Sequence, residues 1–285
     1  MKISKVKLLG VVMAAMLLVV AAVGCAQSDT ENGDTENTEQ TSEALEGNIT
    51  IAGSTSVQPL SEELASAFME QNQGVEINVA GGGSGAGIKA AQEGTADIGA
   101  SSRELKDEEK PDLNEAVIAK DGIAIVIHKD NGVENLTIEE TQKIFAGEIT
   151  DWKDVGGESG SINVFTREEG SGTRDAFEEI VMGDAKISTK AGVQNSTGAV
   201  RTAVAGDVNG IGYISLGSLD ESVTAVKIDD VEPSDETIQD GTYKVARPFL
   251  YLTKGEPEGV VKAFIDFVMS SEGQEIVAEG FISVK

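Results

Sequence analysis

"FTREEGSGTRDAF", residues 165–177, places an arginine, two acids and a Gly-Ser-Gly-Thr turn between a strand-like run and a segment of helical spacing. A strand that ends in a tight hydroxyl turn and opens a helix is the building unit of an α/β fold. Two uses fit the turn. Ser171 is placed as a nucleophile would be, and the turn is also shaped as a cradle for an anion, because both need a small hydroxyl residue where the backbone bends sharply. Local composition leaves both open.

Outward from this stretch the same unit recurs. NITIAGSTSV reads as a short strand ending in a turn, after which Val57, Leu60, Leu64 and Phe68 form one apolar helical stripe, with Pro59 tolerated in the first turn. VEINVAG alternates Val75, Ile77 and Val79 with polar partners and runs into GGGSGAGIKAAQEG, a glycine-rich turn opening a second helix. TADIGASS is again strand-like and ends in hydroxyls, and DGIAIVIHKD, residues 121–130, is the continuous apolar run expected of a strand covered on both faces. A second series follows. LTIEETQKIFAG is helical, SINVFTR a strand, GTRDAFEEIVMG a helix, and GAVRTAVAG and GIGYISLG repeat helix and strand. YKVARPFLYLT adds one more strand, and PEGVVKAFIDFVMSSEGQEIVAEG closes with helical periodicity in Val261, Phe264, Ile265 and Val268. Alternating units of this kind predict parallel or mixed sheets with helices on both faces. Two series joined by extended runs predict two lobes and a cleft.

Four strand ends share one chemical character: Gly53-Ser54-Thr55-Ser56, Gly83-Ser84-Gly85, Ser101-Ser102-Arg103, and Arg167 followed by Gly170-Ser171-Gly172-Thr173. In open α/β sheets such ends feed a common crevice. A helix that begins there points unpaired N–H groups and the positive end of its dipole at the crevice, which suits an oxyanion. Glycine allows close backbone approach, Ser and Thr add compact donors, and an arginine supplies a fork of charged hydrogen bonds. Plain N-capping accounts for any one of these turns taken alone. Four with the same character weigh against it.

The catalytic alternative lacks parts. His128 is the only histidine, it closes an apolar strand, and no serine sits in G-x-S-x-G, so neither Ser171 nor Ser84 has a base nearby in sequence; a lysine remains as a substitute. No catalytic residue is therefore assigned. Gly81, Gly83 and Ala86 fit the permissive dinucleotide pattern, but that use leaves the other hydroxyl turns idle, and no cofactor is assigned. One histidine and one cysteine do not make a conventional zinc site, and the acid clusters at 107–109 and 229–236 lack calcium-loop spacing and read as solvated loops, so no metal is expected.

Residues 1–24 carry Lys2, Lys5 and Lys7, then LLGVVMAAMLLVVAAV, then small residues, the layout of a secretory signal; a permanent membrane helix is the alternative. The only cysteine, Cys25, follows directly. Residues 26–47 hold seven acids and no Lys or Arg, and read as a disordered tether. The net charge of −27 becomes −30 without the three signal lysines and −23 without the seven tether acids, which excludes a nucleic-acid partner. An acidic surface does not exclude an anionic ligand, because surface charge is screened over about 8–10 Å at physiological salt and affects capture rate more than affinity.

Ala22-Val23-Gly24-Cys25 resembles a bacterial lipobox, with Ala22 where such motifs usually have Leu. The resemblance implies a diacylated Cys25 at the head of a 261-residue mature chain, anchored outside the cell membrane. GSTSVQP, GGGSGAGIKAA, ADIGASSREL, FAGEITDWKDVGG, TREEGSGTRDAF and GDVNGIGYISLG, in this order, resemble the phosphate-binding proteins of bacterial phosphate ABC transporters. The resemblance implies a two-lobed, type 2 periplasmic-binding-protein fold, lobe one being 48–127 plus 226–285 and lobe two 128–225. It implies a receptor, not an enzyme, that passes inorganic phosphate to permease subunits. Thr55, Ser56, Ser84 and Ser102 stand at the family's ligand positions on one lobe, and Arg167, Ser171, Gly172 and Thr173 on the other, with Ser54, Arg103 and Glu169 as a second tier. Ser102 stands where some relatives have the aspartate that accepts the phosphate's proton, and Glu169 where others have aspartate. Receptors for sulfate or arsenate, and an exported serine-dependent phosphoester hydrolase, are the competing readings.

Overall fold

The structure is a computed structural model in which residues 45–285 are described. The signal stretch, Cys25 and the tether as far as residue 44 lie outside the described residues. The chain runs β1 (Glu46–Gly53), α1 (Gln58–Gln71), β2 (Gly74–Gly81), α2 (Ser84–Glu93), β3 (Ile98–Ser101), β4 (Leu113–His128), β5 (Asn135–Leu136), α3 (Ile138–Ala146), β6 (Asn163–Arg167), α4 (Gly172–Phe177) and β7 (Gly192–Gln194). It continues through α5 (Thr197–Ala205), β8 (Gly210–Ser215), β9 (Val223–Ala225), β10 (Lys227–Ile228), α6 (Asp235–Gln239), β11 (Ala246–Lys254), α7 (Gly259–Val268) and α8 (Ser271–Val277).

The strands follow one path, β2-β1-β3-β11-β4-β8-β6-β7, with β9 beside β4 and β5 paired to β10 apart from it. β1 is parallel to β2 and β3, and β6 to β7 and β8, because the helix after each strand returns the chain to the starting edge. β4 and β11 are antiparallel to each other. The 16 residues of β4 reach about 50 Å at ~3.3 Å per residue, enough to cross from one half of the sheet path into the other.

Two cores change over along these strands. Ile118 and Ala119 of β4 and Phe249 of β11 pack with Leu60, Leu64, Phe68 and Phe264. Ile123, Ile125 and Ile127, with Val245, pack instead with Phe145, Trp152, Phe177 and Tyr213, and there Phe177 stacks on Tyr213 at 4.1 Å between ring centroids. Each of these fully buried large apolar side chains contributes roughly 1.5–3 kcal/mol of transfer free energy. The changeover therefore lies between Ala119 and Ile123, and again between Val245 and Phe249. The expected crossings near 128 and 225 differ from it: the apolar run reads on past the first because β4 is buried continuously from Asp121 to Ile127, and α6 and Tyr243 still belong to the second core.

Three further readings shift. β1 starts at Glu46, paired to Gly74, and Leu45 packs on the first core, so the end of the acidic stretch is sheet and not tether. The first half of β4, LNEAVIAK, escapes a reading by apolar runs because much of it faces solvent. The closing helical pattern is two helices, with Ser270 Oγ accepting from Gly273 N at 3.1 Å to cap the second. Among the described residues no helix is long and apolar enough to cross a membrane.

Candidate anion-binding site

The C-terminal ends of β1, β3 and β6 and the starts of α2, α4 and α5 meet between the two cores. Close packing sets the approach. A Cβ on Gly87 of α2 would lie 2.6 Å from Ala52 O and 2.8 Å from Ala100 O, so glycine lets α2 rest on β1 and β3 and aim its first turn at the crevice. A Cβ on Gly172 would collide with Ser84 Oγ and come within 2.8 Å of Ser102 Oγ, so α4 and the first-lobe hydroxyls touch only because Gly172 has no side chain.

Hydroxyls from both sides pair across the crevice. Ser56 Oγ lies 2.9 Å from Thr173 Oγ1 and 2.8 Å from Thr197 Oγ1, and Thr197 N donates to Thr55 Oγ1 at 3.2 Å. Gly85 N donates to Gly170 O at 3.0 Å, joining the second and fourth turns through backbone. On the first side Ser54 Oγ donates to Ser102 Oγ at 2.8 Å, and Ser102 N donates to Ser84 Oγ at 3.0 Å. Ser54, Ser56, Ser84, Ser102, Ser171 and Thr173 are buried, whereas Thr55 is half-buried. Among the described residues Asn131 Oδ1 is the only buried side-chain polar atom without a partner, so this polar cluster is satisfied within itself.

The helix starts differ in their caps. Neither α1 nor α2 has a side-chain cap, and backbone takes first-turn donors instead: Gln58 N donates to Ser54 O and Gly85 N to Gly170 O, both at 3.0 Å, while Pro59 has no N–H. Ser171 Oγ accepts from Arg174 N at 3.3 Å and caps α4, and Ser196 caps α5. Ser171 is thus both a helix cap and a wall of the cluster.

Arg167 ends β6 and is 1 % exposed. Its backbone N–H donates to Tyr213 Oη at 3.2 Å, and burial pushes the Tyr213 phenol up to about 12, so that oxygen stays a neutral hydroxyl. Arg167 Nη1 donates to Thr197 Oγ1 at 3.2 Å, and Nε and Nη2 donate to the two carboxylate oxygens of Glu168, both at 2.8 Å. Glu169, expected beside the arginine, is exposed and acts on Arg174 through its charge. The reason is the ladder: Glu168 N donates to Gln194 O, extending β6 against β7 by one residue, and Glu169 falls in the turn.

Arg103 does not enter the hydroxyl cluster. Its guanidinium donates to both oxygens of Glu109, to Glu104 O, and through Nε to Asp175 Oδ2 at 2.8 Å on α4, so it ties the two sides together at the crevice edge. Burial alone would lower its pKa, but Glu109 and Asp175 outweigh that and raise it, while Arg103 holds the Glu109 carboxyl below its usual range. Glu109 is therefore an ion-pair partner, although the neighbouring acids 107 and 108 are exposed as expected.

Two residues at the site were not anticipated. Thr197 opens α5 from Asn-Ser-Thr-Gly, a further hydroxyl turn after a strand and legible by the same rule. Arg247 lies opposite Asp121 in the β11–β4 register, donates to Asp121 Oδ2 from Nε and Nη2 at 3.3 and 3.0 Å, and donates from Nη1 to Ser102 Oγ and Ser102 O, both at 3.1 Å. Burial pushes the Asp121 carboxyl up, against the pull of Arg247, Ser215 and the Gly217 N–H. His128 ends β4, where its Nδ1 accepts from Asp130 N at 3.1 Å.

A model of the PBP superfamily domain matches residues 36–272. The phosphate-binding protein PstS of Bacillus subtilis is 34% identical over all of this chain and 95% of its own length. A substrate-binding protein from Clostridium perfringens, solved with bound phosphate, shares 46% identity over 84% of this chain and 100% of its own, with a TM-score of 0.81. An ABC-type phosphate transport receptor from Vibrio cholerae is 38% identical over 82% of this chain and 99% of its own, with a TM-score of 0.70. With that coverage, and with the cleft and hydroxyl turns in place between two cores, the chain belongs to the phosphate-binding protein family of the PBP superfamily.

Proposed function

We propose that the chain binds inorganic phosphate between its lobes and delivers it to the permease of an ABC importer, with no chemistry on the ligand. The observation that carries this is the convergence of Ser56, Ser84, Ser102, Thr173 and Thr197 with Arg167 on one buried volume reached from both lobes. Thr55, Ser56, Ser84 and Ser102 serve from the first lobe, and Arg167, Ser171, Gly172 and Thr173 from the second, with Thr197 added. The lobes divide near Asp121–Gly122 and Val245–Ala246, where the cores change.

A hydroxyl swings its proton about the C–O bond at little cost, so the mutual pairs across the crevice can redirect onto an oxyanion. The starts of α1 and α2, which carry no side-chain cap, add the positive ends of two dipoles. Arg167 supplies charge from the opposite side. A ligand held by both lobes fixes their relative position, and that fixed pair of faces is what a permease reads. Cys25 as a lipid anchor, with the acidic stretch as spacer, would hold the receptor outside the membrane beside its permease.

Calorimetric titration of the purified chain with phosphate and with sulfate tests the proposal. Heat on phosphate addition that is stronger than for sulfate is expected, and no heat with phosphate at neutral pH would refute it.

A further inference from the structure

Resting on the cleft as an oxyanion site, we infer that Arg247 is a specificity-determining residue: it acts through Ser102 to hold that hydroxyl as a donor toward the ligand. Arg247 and Asp121 are partners on the two strands that cross between lobes, with side chains 2 % and 1 % exposed. Asp121 is fixed from the second lobe by Ser215 Oγ, which donates to its Oδ1 at 2.9 Å. Arg247 passes that fixation to the first lobe through its Nη1 bonds to Ser102.

The count at Ser102 Oγ decides its role. A hydroxyl has two acceptor lone pairs and one proton. Ser54 Oγ–H takes one lone pair at 2.8 Å and Arg247 Nη1–H the other at 3.1 Å. What remains is the proton. Ser84 Oγ is 3.3 Å away, beyond the usual 2.5–3.0 Å of an O–H···O bond, so a ligand oxygen competes for that proton with little opposition. A bare oxyanion oxygen is welcome at this position, and an oxygen that carries a proton gains nothing there.

A purely scaffolding arginine would need only Asp121. Arg247 instead divides its fork, two bonds to the carboxylate and two to Ser102, a division that the fixed planar geometry of guanidinium permits and a lysine ammonium does not reproduce. Burial pulls the Arg247 guanidinium down and Asp121 opposes this; the Arg167 charge adds to the downward pull, one cation acting on the other.

The test titrates phosphate and sulfate into the chain at pH values on either side of the second ionisation of phosphate. The variants are Arg247→Lys, the paired change Arg247→Gln with Asp121→Asn, which removes both buried charges together, and Ser102→Ala. The pair's net charge is unchanged in the paired variant, so loss of the charge-assisted bond to Ser102 alone should weaken sulfate binding about tenfold. Phosphate should lose less, because the freed lone pair of Ser102 can accept from a protonated phosphate oxygen, so the phosphate-to-sulfate ratio rises. In the Ser102→Ala background the Arg247 change should leave that ratio where Ser102→Ala alone put it. Should the paired variant fail to fold by circular dichroism, Arg247→Lys reads the same shift with smaller amplitude. An unchanged ratio in a folded variant that still binds phosphate overturns the role of Arg247 alone. Failure of the unaltered chain to bind either oxyanion overturns the reading of the site and this inference with it.

Discussion

Two arginine–carboxylate pairs border the hydroxyl cluster, made of the same groups but with carboxylates set at different depths. Arg167 pairs with Glu168, whose side chain is 28 % exposed, and Arg247 pairs with Asp121, whose side chain is 1 % exposed. A rim carboxylate keeps much of its hydration, so exchanging it for a ligand costs little, and Arg167 is free to change partners. A buried carboxylate has given up its hydration and stabilises only while its partner stays, so Asp121 and Arg247 should remain together when a ligand binds. In the proposed function the pair with the half-buried carboxylate captures the ligand, and the fully buried pair holds shape.

The largest effect is expected at Asp121. Asp121→Ala leaves an uncompensated buried guanidinium and should lower unfolding free energy by about 3–5 kcal/mol, read as a lower midpoint in denaturant. Next in size, Arg167→Ala removes charge-assisted bonds and should weaken phosphate binding by about 100-fold in calorimetry while shifting stability far less. A fall in stability as large as that of Asp121→Ala would erase the distinction between the pairs. Glu168→Gln sharpens it from the other side. With the arginine no longer neutralised, phosphate affinity should rise about threefold, a surface-pair effect.

The smallest effect belongs to a third pair of intermediate depth, Arg103 with Glu109, whose side chains are 7 % and 20 % exposed. The Glu109 carboxyl is held below its usual range, so the folded state favours its ionised form. Its contribution is therefore complete above the ordinary carboxylate value of about 4.3 and is lost as the pH falls through and below it. Chemical denaturation from pH 7 down to pH 3 should show a shallower acid loss in Glu109→Gln than in the unaltered chain. Equal slopes would remove Glu109 from the account.

Much of the site can be read in the chain because its members sit at ends of strands. Ser56, Ser84, Ser102 and Thr173 each follow a short apolar run and precede a helix or turn, and that local grammar survives folding. Thr197 obeys the same grammar in QNSTGAV, and a search for hydroxyl turns after short strands, β7 being only 3 residues, finds it. Arg247 does not. It sits inside YKVARPFLYLT, where a lone cation in a strand looks like any edge residue, and only the register that sets it opposite Asp121 gives it a purpose. The choice of Glu168 over Glu169 depends on one further ladder bond to Gln194, a pairing between distant segments that adjacent identical residues cannot signal. The place where the cores change is hidden for a related reason: its only mark in β4 is the short break Lys120-Asp121-Gly122, which opens the continuous apolar run and so looks like the start of a strand instead of its middle.

A crystal structure of the chain grown with phosphate tests the central claim most directly. One tetrahedral ion is expected between the lobes, bonded by Arg167 from the second lobe and by Ser56, Ser84 and Ser102 from the first, with Arg247 still on Asp121. An ion bound elsewhere, or one in the cleft that leaves Arg167 on Glu168 and touches neither serine turn, would contradict it.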